Sequence, residues 1–587
     1  MTRPKTPSNH QEAIFRFVQS GSGHGVIMAT AGSGKSTTLV EVAHRLPADV
    51  SACFLAFNAS AAKQLKDRLP EHVNAYTVHA LALKTLSAAT KGRKFAAVQP
   101  RKYHDLVRSR LHNTESNYRV SSETAAQAVH YLRELTHYAR VNLAQEEDPG
   151  VLYKLARTYG LRPPDHPKLV VDLHAQLWDI LRDGVALALI GAYDFADMIY
   201  APVIAGLSPA QHFDMVCVDE AQDLSPMQLA FIRRLPSPTG RLLFVGDKNQ
   251  AIYGFAGADT RAMSRIIEQT EATVLPLSVT YRCPKKHVRF AQRFAPDIQA
   301  APGAAEGQIT AITERSLFKH VTPGDLVLCR INAPLVETCL QLIQRRIPAQ
   351  VLGRDVAGKL LSDAKLVFRS GLEDWKAKLN RFESREVASV ARSNLPQDVI
   401  ERVIYRREDE LACLRALTKD AVSGGVATLR GLTARIDGLF GEAEGVVTLS
   451  TVHKAKGKEA ENVFILLPHL MPLPHAETPE ERDAEDCVRF VAVTRAKRKL
   501  VFVEAAGAQS EDRWWRTVNA KPNRTSHHLD LPVEAGVSRQ TLALTNLRQM
   551  RLSSAILSTF IVLYIFINMK LCFYVFSYFY PFIKPCV

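Results

Sequence analysis

The segment from Ala29 to Thr37 carries the side chains best suited to binding phosphate. It combines small residues, one lysine and several hydroxyl groups in the order Ala29, Thr30, Ala31, Gly32, Ser33, Gly34, Lys35, Ser36, Thr37. Backbone N–H groups in such a Gly-rich turn can converge on a phosphate at the N-terminus of the following helix. Lys35 can then reach the outer phosphates, and the Ser36 hydroxyl can bind Mg²⁺. The pattern G-x-x-x-x-G-K-[ST] fails only at Ala29, and the alternative is a Gly-rich turn without a ligand.

Acidic side chains follow two other apolar runs. Asp219 and Glu220 come directly after residues 215–218, and Asp247 comes shortly after residues 242–245. Two carboxylates at one strand end are costly unless they bind something. One could hold Mg²⁺ through water while the other polarises an attacking water. The alternative for the first pair is a set of acids that caps a helix.

Short apolar runs alternate with helical patterns, and this alternation positions the reactive residues. Residues 26–28 lead into the phosphate turn, a helical pattern follows to residue 46, and residues 52–57 form a second buried run. Residues 74–79 then offer Asn, Tyr, Thr and His side chains, which suit contact with a phosphate backbone and a base. The repeated order of strand, loop and helix predicts an α/β fold.

Two long segments lack this rhythm and are helical and charged, so we interpret them as insertions. The predicted divisions are a first α/β domain in two parts (1–91 and 191–280) around a helical insertion (92–190), a second α/β domain in two parts (281–354 and 443–510) around a helical insertion (355–442), a C-terminal extension (511–552) and a hydrophobic tail (553–587).

Composition indicates the class of partner and the compartment. The chain has 587 residues, 47% of them hydrophobic, and a formal net charge of +15, which favours a polyanionic partner such as nucleic acid. The nine cysteines include no C-x-x-C pair, so we predict neither a zinc site nor a disulfide framework. The first residues contain no apolar signal segment. We therefore expect a cytoplasmic or nuclear protein.

Taken together, the motifs resemble those of superfamily 1 helicases of the UvrD/Rep/PcrA type, in the order found in that family. The matching segments are AGSGKST at 31–37, LAFNASAAKQLKDRL at 55–69, TVHA at 77–80, VDEAQD at 218–223, VGDKNQAIYGFAGAD at 245–259, YRC at 281–283, TVHKAKGKE at 451–459 and FVAVTRAKRKL at 490–500. The AFNASAAKQ segment and the short second insertion are similar to the F-box DNA helicase branch and its bacterial relatives.

The resemblance implies two RecA-like P-loop domains with parallel sheets flanked by helices, ATP between them and single-stranded DNA across their tops. At the nucleotide, Gln11 would read adenine, Tyr281 would stack on it, and Glu459 would approach the ribose. Lys35 would bind phosphate, with Ser36 and Asp219 on Mg²⁺.

The resemblance also implies the catalytic and DNA-contacting residues. Glu220 would act as the base for water, and Gln250, Arg282 and Arg495 would surround the γ-phosphate. The two arginines come from the second domain, so they would sense closure and stabilise transition-state charge. The DNA contacts would come from Phe57, Asn58, Thr77, His79, Tyr253, Phe255, Thr451 and His453.

Three departures from the family pattern affect these expectations. Ala256 stands where an arginine usually follows the aromatic residue, and Lys458 replaces an apolar residue beside Gly457. The second insertion is shorter than in the bacterial repair helicases. These differences concern one DNA contact and the strength of unwinding.

We therefore expect an ATP-dependent DNA helicase or translocase, moving 3′ to 5′ by resemblance, on single-stranded DNA and at junctions with duplex. Two alternatives stay open: a motor that strips proteins from DNA with little unwinding, and a DNA-binding module whose ATPase is inactive. An inactive ATPase would lack at least one catalytic side chain, whereas this sequence contains every catalytic residue that the resemblance implies.

The tail, residues 553–587, differs from the rest of the chain. Ten of its 35 residues are Phe or Tyr, and its only charged residues are Lys570 and Lys584. An uncharged run from Leu552 to Met569 is at the lower limit of the roughly 17–25 residues that span a bilayer. The alternatives are a membrane anchor and a segment foreign to the helicase. The abrupt change in composition favours the second.

Overall fold

The computed structural model describes residues 7–90, 98–148, 150–252, 261–392, 397–474, 476, 478–505 and 514–515. These residues build two α/β domains, each with a six-stranded sheet and a helical insertion, so the predicted fold class is confirmed. The tail at 553–587 lies outside the described residues, as do Tyr253, Phe255 and Ala256. In the part that the structure describes, no helix has both the length and the apolar character needed to cross a membrane.

The first domain and its insertion account for twelve helices and six strands of the described residues. The opening part contains α1 (Asn9–Ser20), β1 (Gly25–Ala29), α2 (Lys35–Arg45), β2 (Ala52–Ala56), α3 (Ala59–Lys66), β3 (Asn74–Thr77) and α4 (Val78–Ala89). The insertion contains α5 (Lys102–Arg110), α6 (Thr114–Tyr118), α7 (Ser122–Val141), α8 (Val151–Thr158) and α9 (Pro167–Leu189). The closing part contains α10 (Asp197–Ile204), β4 (Phe213–Val218), α11 (Pro226–Ile232), β5 (Pro236–Gly246), α12 (Ala262–Thr270) and β6 (Thr273–Leu277).

The first sheet has the order β3-β2-β4-β5-β1-β6, and every neighbouring pair is parallel. All five residues of β2 are buried, as expected of a parallel strand covered by helices on both faces. Because β4, β5 and β1 are neighbours, their carboxyl ends meet at one edge of the sheet. This edge holds the phosphate turn, Asp219 and Asp247, which are far apart in sequence.

The second domain follows the same plan. Its first part contains β7 (Val279–Thr280), α13 (Lys285–Ala291), β8 (Gln299–Ala300), β9 (Gln308–Thr313), α14 (Glu314–His320), β10 (Leu326–Cys329), α15 (Ala333–Gln344) and β11 (Ala349–Val351). Its insertion contains α16 (Arg354–Val367), α17 (Trp375–Arg392), α18 (Gln397–Ser423) and α19 (Leu429–Leu439). Its closing part contains β12 (Val447–Thr451), β13 (Ala460–Leu466), α20 (Pro479–Val493) and β14 (Ala496–Glu504). The parallel sheet has the order β11-β12-β10-β13-β14-β9.

Two tryptophans extend the core of the second domain past β14. The Trp514 ring packs against Phe290 and Phe502, and its Nε1 donates a hydrogen bond to the Pro468 carbonyl at 2.9 Å. Trp515 is also buried, and its Nε1 bonds Glu504 at 2.6 Å. Residues after position 510 therefore contribute to this core.

Buried ion pairs fix the first insertion to the domain that carries it. Lys102 Nζ lies 2.5 Å from an Asp197 oxygen at the start of α10, and the Tyr103 hydroxyl donates to the other oxygen at 2.8 Å. Arg140 lies 2.8 Å from Asp194 and 3.2 Å from Asp197. Breaking a buried pair of this kind leaves an uncompensated charge, so the contacts hold α5 and α7 firmly against α10.

Candidate nucleotide and nucleic-acid sites

Two glycines give the phosphate turn its shape. Gly34 precedes α2 with a φ of +84°, and Gly32 has a φ of +69°. A Cβ at Gly32 would lie 2.5 Å from the Cβ of Arg282 and 2.7 Å from the Thr280 hydroxyl. Only glycine fits there, since both the backbone conformation and the close approach of the second domain exclude a side chain. The turn therefore lies in contact with the segment that carries Arg282.

The acids predicted to serve the metal and the water lie beside this turn. Lys35 Nζ is 3.1 Å from a Glu220 carboxylate oxygen, and the Ser36 hydroxyl is 3.4 Å from an Asp219 oxygen. Burial and the neighbouring Glu220 charge raise the pKa of Asp219. Burial acts in the same direction on Glu220, but the cations of Lys35 and Lys456 outweigh it and lower its pKa. Glu220 is therefore the more acidic member of the pair.

Side chains from the second domain reach the same cleft. Arg495 is almost fully buried and its Nη2 donates to the Gln250 Oε1 at 3.2 Å, which joins the two domains directly. Gln250 in turn donates to Asp247 at 2.6 Å. The guanidinium also donates to the carbonyl oxygens of Val491 and Lys458 and to the Thr494 hydroxyl. Among the described residues no carboxylate lies within ion-pair distance of this guanidinium.

Tyr281 and Glu459, two of the three residues expected at the adenine and ribose, line an open cleft of about 520 Å³ together with Gly32 and Gly34. Tyr281 is 56% exposed there, and its backbone N–H donates to the Gly32 carbonyl at 2.9 Å. Arg282 Nε lies 2.5 Å from a Glu459 oxygen. The side chains of Tyr281, Arg282 and Glu459 are thus brought together beside the phosphate turn.

Gln11 is buried at the other side of the turn. Its Oε1 accepts from the Ser8 backbone N–H at 3.0 Å as part of the N-terminal cap of α1, and its Nε2 donates to the Thr38 hydroxyl at 3.0 Å. The Nε2 also lies 4.0 Å from where a Cβ of Gly34 would be. The structure therefore places Gln11 beside the loop with its amide already engaged.

The donor set fits a nucleotide with Mg²⁺. The Thr30 and Ser33 hydroxyls are buried in the turn without a hydrogen-bond partner among the described residues. A helix N-terminus, a lysine and free hydroxyls form a cradle for an anion. Ser36 and Asp219 supply the hard oxygen ligands that Mg²⁺ prefers. A divalent cation would also compensate the buried charge of Asp219 and Glu220.

The predicted DNA residues of the first domain lie at the carboxyl ends of the neighbouring strands β2 and β3. Phe57 is 51% exposed, whereas Asn58 and Thr77 cap helices: their side-chain oxygens accept from Ala61 at 2.8 Å and from Ala80 at 3.2 Å. These two side chains therefore shape the surface and keep only part of their hydrogen-bonding capacity for a ligand.

The two predicted histidines are neutral at physiological pH. Burial lowers the pKa of His79 to about 4, and burial together with the charges of Arg330 and Lys456 lowers the pKa of His453 to about 3. Thr451 ends β12 and is mostly buried. Either imidazole can thus offer an N–H to a phosphate, but neither contributes positive charge.

The structure brings side chains to these surfaces that the motifs did not single out. Phe195 is 59% exposed, and its ring stacks on His79 with a centroid distance of 4.0 Å. Lys456 reaches across the cleft to Asp223 at 2.5 Å and to the Gln250 carbonyl at 2.9 Å. Lys497 lies in the nucleotide cleft. An aromatic residue beside an acid-rich segment was the only sequence signal for Phe195, and it is a weak one.

Two family models match the chain. The UvrD/REP helicase N-terminal domain matches residues 10–271, and the UvrD-like helicase C-terminal domain matches residues 402–506. The first match contains the phosphate turn and both acid-bearing strand ends. The second contains Glu459 and Arg495. The matched segments therefore carry both sides of the nucleotide cleft.

Curated relatives agree with these matches. The chain is 23% identical to F-box DNA helicase 1 of Gallus gallus over 82% of this chain and 47% of that protein. It is 22% identical to F-box DNA helicase protein 1 of Schizosaccharomyces pombe, over 81% of this chain and 55% of that protein. It is 24% identical to ATP-dependent DNA helicase UvrD2 of Mycobacterium tuberculosis, over 85% of this chain and 78% of that protein. The chain spans about half the length of the two F-box relatives. With both helicase domains matched on a RecA-like α/β fold, the chain belongs to the UvrD-like helicase family.

Proposed function

We propose that this chain is an ATP-dependent DNA motor that moves 3′ to 5′ along single-stranded DNA and unwinds duplex at a junction. The observation that carries the proposal is the contact of both domains at one phosphate turn. Arg282 packs on Gly32, and Arg495 bonds Gln250. A nucleotide bound between two domains converts hydrolysis into relative movement, which is what a translocase requires.

Each group in the cleft has a role that follows from its position. Lys35 and the backbone N–H groups of the turn would bind the β- and γ-phosphates. Ser36 and Asp219 would hold Mg²⁺, which supplies charge neutralisation to the phosphates when bound. Glu220, whose carboxylate lies beside Lys35, would orient the attacking water and accept its proton.

Arg282 and Arg495 would complete the site from the second domain. A buried guanidinium without a carboxylate partner attracts an anion, since isolated buried charge is costly. Stabilisation of the γ-phosphate by these arginines would depend on how closely the domains approach. Hydrolysis and closure would then be coupled through the same side chains.

The DNA would bind along the carboxyl ends of β2, β3 and β12. Phe57 and Phe195 offer exposed rings for base stacking, which tolerates any sequence. Repeated closure and opening would alternately tighten and release the strand. With such a substrate the protein would act at the bacterial nucleoid or in the nucleus, in replication, repair or recombination.

Strand displacement with the full chain tests polarity and unwinding together. Duplexes with a 3′ or a 5′ single-stranded tail are incubated with ATP and Mg²⁺, and displacement is measured by fluorescence. We expect displacement of the 3′-tailed duplex only. Displacement from the 5′ tail would contradict the proposed direction. DNA-stimulated ATPase activity that removes a bound protein without displacement would instead favour the stripping motor, for which the short second insertion is the supporting feature.

A further inference from the structure

The carboxylate of Glu459 is held by two cations, one on each oxygen. Arg282 Nε lies 2.5 Å from Oε2, and Lys497 Nζ lies 2.6 Å from Oε1. Both cations line the nucleotide cleft. Lys497 is the second residue of β14, and Arg495 lies just before that strand, so one short segment places one cation near Gln250 and another at Glu459.

Arg282 and Lys497 differ in how freely they can leave Glu459. The stem of Arg282 is fixed against Gly32, because its Cβ lies 2.5 Å from where a glycine Cβ would be. Its guanidinium can therefore turn from Glu459 towards the phosphates while the stem stays in place. When the guanidinium turns to the phosphates, Glu459 loses its contact with Arg282 while the negatively charged phosphates lie nearby. A carboxylate beside phosphates is repelled unless a cation stays with it.

Lys497 can keep its contact with Glu459 when Arg282 turns away. Partial burial opposes ionisation of Glu459, but the hydrogen bond from Lys497 and the Arg282 charge prevail, and its pKa is lowered. An ionised carboxylate accepts hydrogen bonds and donates none, so it suits the 2′- and 3′-hydroxyl groups of a ribose. Removal of the 2′-hydroxyl leaves one such acceptor without its donor.

We propose that Lys497 is a positioning residue that keeps Glu459 directed at the ribose hydroxyls while Arg282 binds the phosphates, and that it thereby favours ribonucleotides over deoxyribonucleotides. The inference rests on the proposed function, since it takes the cleft to be the ATP site. Lys497 acts through Glu459 and touches no reacting atom.

The test compares nucleotides that differ only at the 2′ position. Affinities of the full chain for ADP and 2′-deoxy-ADP are measured by calorimetry, and kcat and KM for ATP and dATP are measured with single-stranded DNA. Lys497→Met keeps the apolar stem and removes the charge, whereas Lys497→Arg restores the charge. Lys499→Met, two residues further along β14 and outside the cleft lining, is the matched control.

We expect Lys497→Met to weaken ADP binding and raise the KM for ATP by about tenfold, the scale of one hydrogen bond to a charged group. Binding of 2′-deoxy-ADP and kcat should change little, and Lys497→Arg and Lys499→Met should behave as the unmodified protein. Equal losses for both nucleotides, a fall in kcat alone, or an unchanged preference would overturn the inference. Absence of nucleotide binding by the unmodified chain would instead contradict the proposed function.

Discussion

Arg495 shows how a single residue connects the two domains. Its guanidinium is buried, and its hydrogen bonds within the described part of the chain go to neutral oxygens of Val491, Lys458, Gln250 and Thr494. Burying such a group costs free energy that a carboxylate partner would normally offset. We interpret this arrangement as a site kept ready for an anionic ligand, because a structural role alone would favour an acidic neighbour.

Substituting either arginine of the cleft should therefore affect catalysis more than binding. Arg282→Ala and Arg495→Ala should each lower DNA-stimulated kcat by roughly 10³–10⁵, the range for arginines that stabilise phosphoryl-transfer charge. Nucleotide affinity, measured with a fluorescent analogue, should change little. Because Arg495 is buried, Arg495→Lys is the companion variant: it keeps the charge but loses the fork of donors, and should also be slow. Near-normal turnover in both Arg495 variants would show that Arg495 does not take part in catalysis.

Phe195 should contribute to DNA binding although no motif predicts it. Its ring stacks on His79 and is largely exposed, so a base can stack on the other face. Phe195→Ala should weaken binding of single-stranded DNA by about 1–3 kcal/mol, the usual contribution of one stacked base. Fluorescence anisotropy measures this loss, and Phe195→Tyr should retain most of the affinity. An unchanged affinity in Phe195→Ala would place the DNA elsewhere.

At the scale of elements, the parallel strands deliver the chemistry because their carboxyl ends coincide. Asn58 and Thr77 show that the same positions also begin helices, since both side chains cap α3 and α4. A polar residue at a strand end can therefore serve the fold and the ligand together. Exposed Phe57, which makes no such cap, is the clearer candidate for contact with DNA.

The first insertion contains a histidine whose neutral form stabilises the fold. Burial lowers the pKa of His174 to about 4, and its Nε2 lies at a hydrogen-bonding distance of 2.7 Å from the Tyr131 hydroxyl. In the unfolded chain the same group titrates near 6.5, so the unfolded state binds more protons between pH 6.5 and 4. This contribution to stability is present above pH 6.5 and is lost as the pH falls towards 4.

His174→Gln should make the melting temperature less sensitive to acid. Glutamine keeps an acceptor for Tyr131 but does not titrate, so the variant should lose less stability than the unmodified protein between pH 6.5 and 4. Calorimetry across this range measures the difference. His104, a partly exposed histidine on α5 of the same insertion, supplies the control His104→Gln. Parallel curves for the unmodified protein and His174→Gln would show that His174 does not contribute.

The sequence predicts elements better than it predicts contacts. Apolar runs located β1, β2 and β4 to within two residues, because continuous burial of parallel strands leaves a strong local signal. Lys497 and Phe195 gave no such signal, since their partners Glu459 and His79 are brought near only by the folded chain. Pairing of residues that are distant in sequence depends on tertiary packing, which a single sequence does not record directly.

For the whole molecule, Lys456 links the surface proposed for DNA with the nucleotide cleft. It follows Thr451 and His453 by a few positions and reaches Asp223 and the Gln250 carbonyl in the first domain. The ammonium and carboxylate are almost fully buried, so the pair fixes the relative position of the domains. A conformational change at the surface proposed for DNA can therefore be transmitted to the nucleotide cleft through residues 451–456.

Lys456→Met should reduce DNA stimulation of ATPase activity by about tenfold and also lower the melting temperature, because Asp223 is left buried without its cation. Adding Asp223→Asn removes that unpaired charge. The double variant should therefore regain thermal stability without regaining DNA stimulation. Recovery of both properties would show that the pair has only a structural role.

The central claim is that one nucleotide site between two domains drives a DNA motor, and Lys35→Ala tests it most directly. ATP hydrolysis and binding of single-stranded DNA are measured on the same preparation, with Lys319→Ala as an exposed control. The account predicts that Lys35→Ala abolishes DNA-stimulated hydrolysis while DNA binding largely survives, since the proposed DNA contacts lie on other strand ends. Hydrolysis that persists in this variant, or a folded protein that loses both activities, would contradict the account.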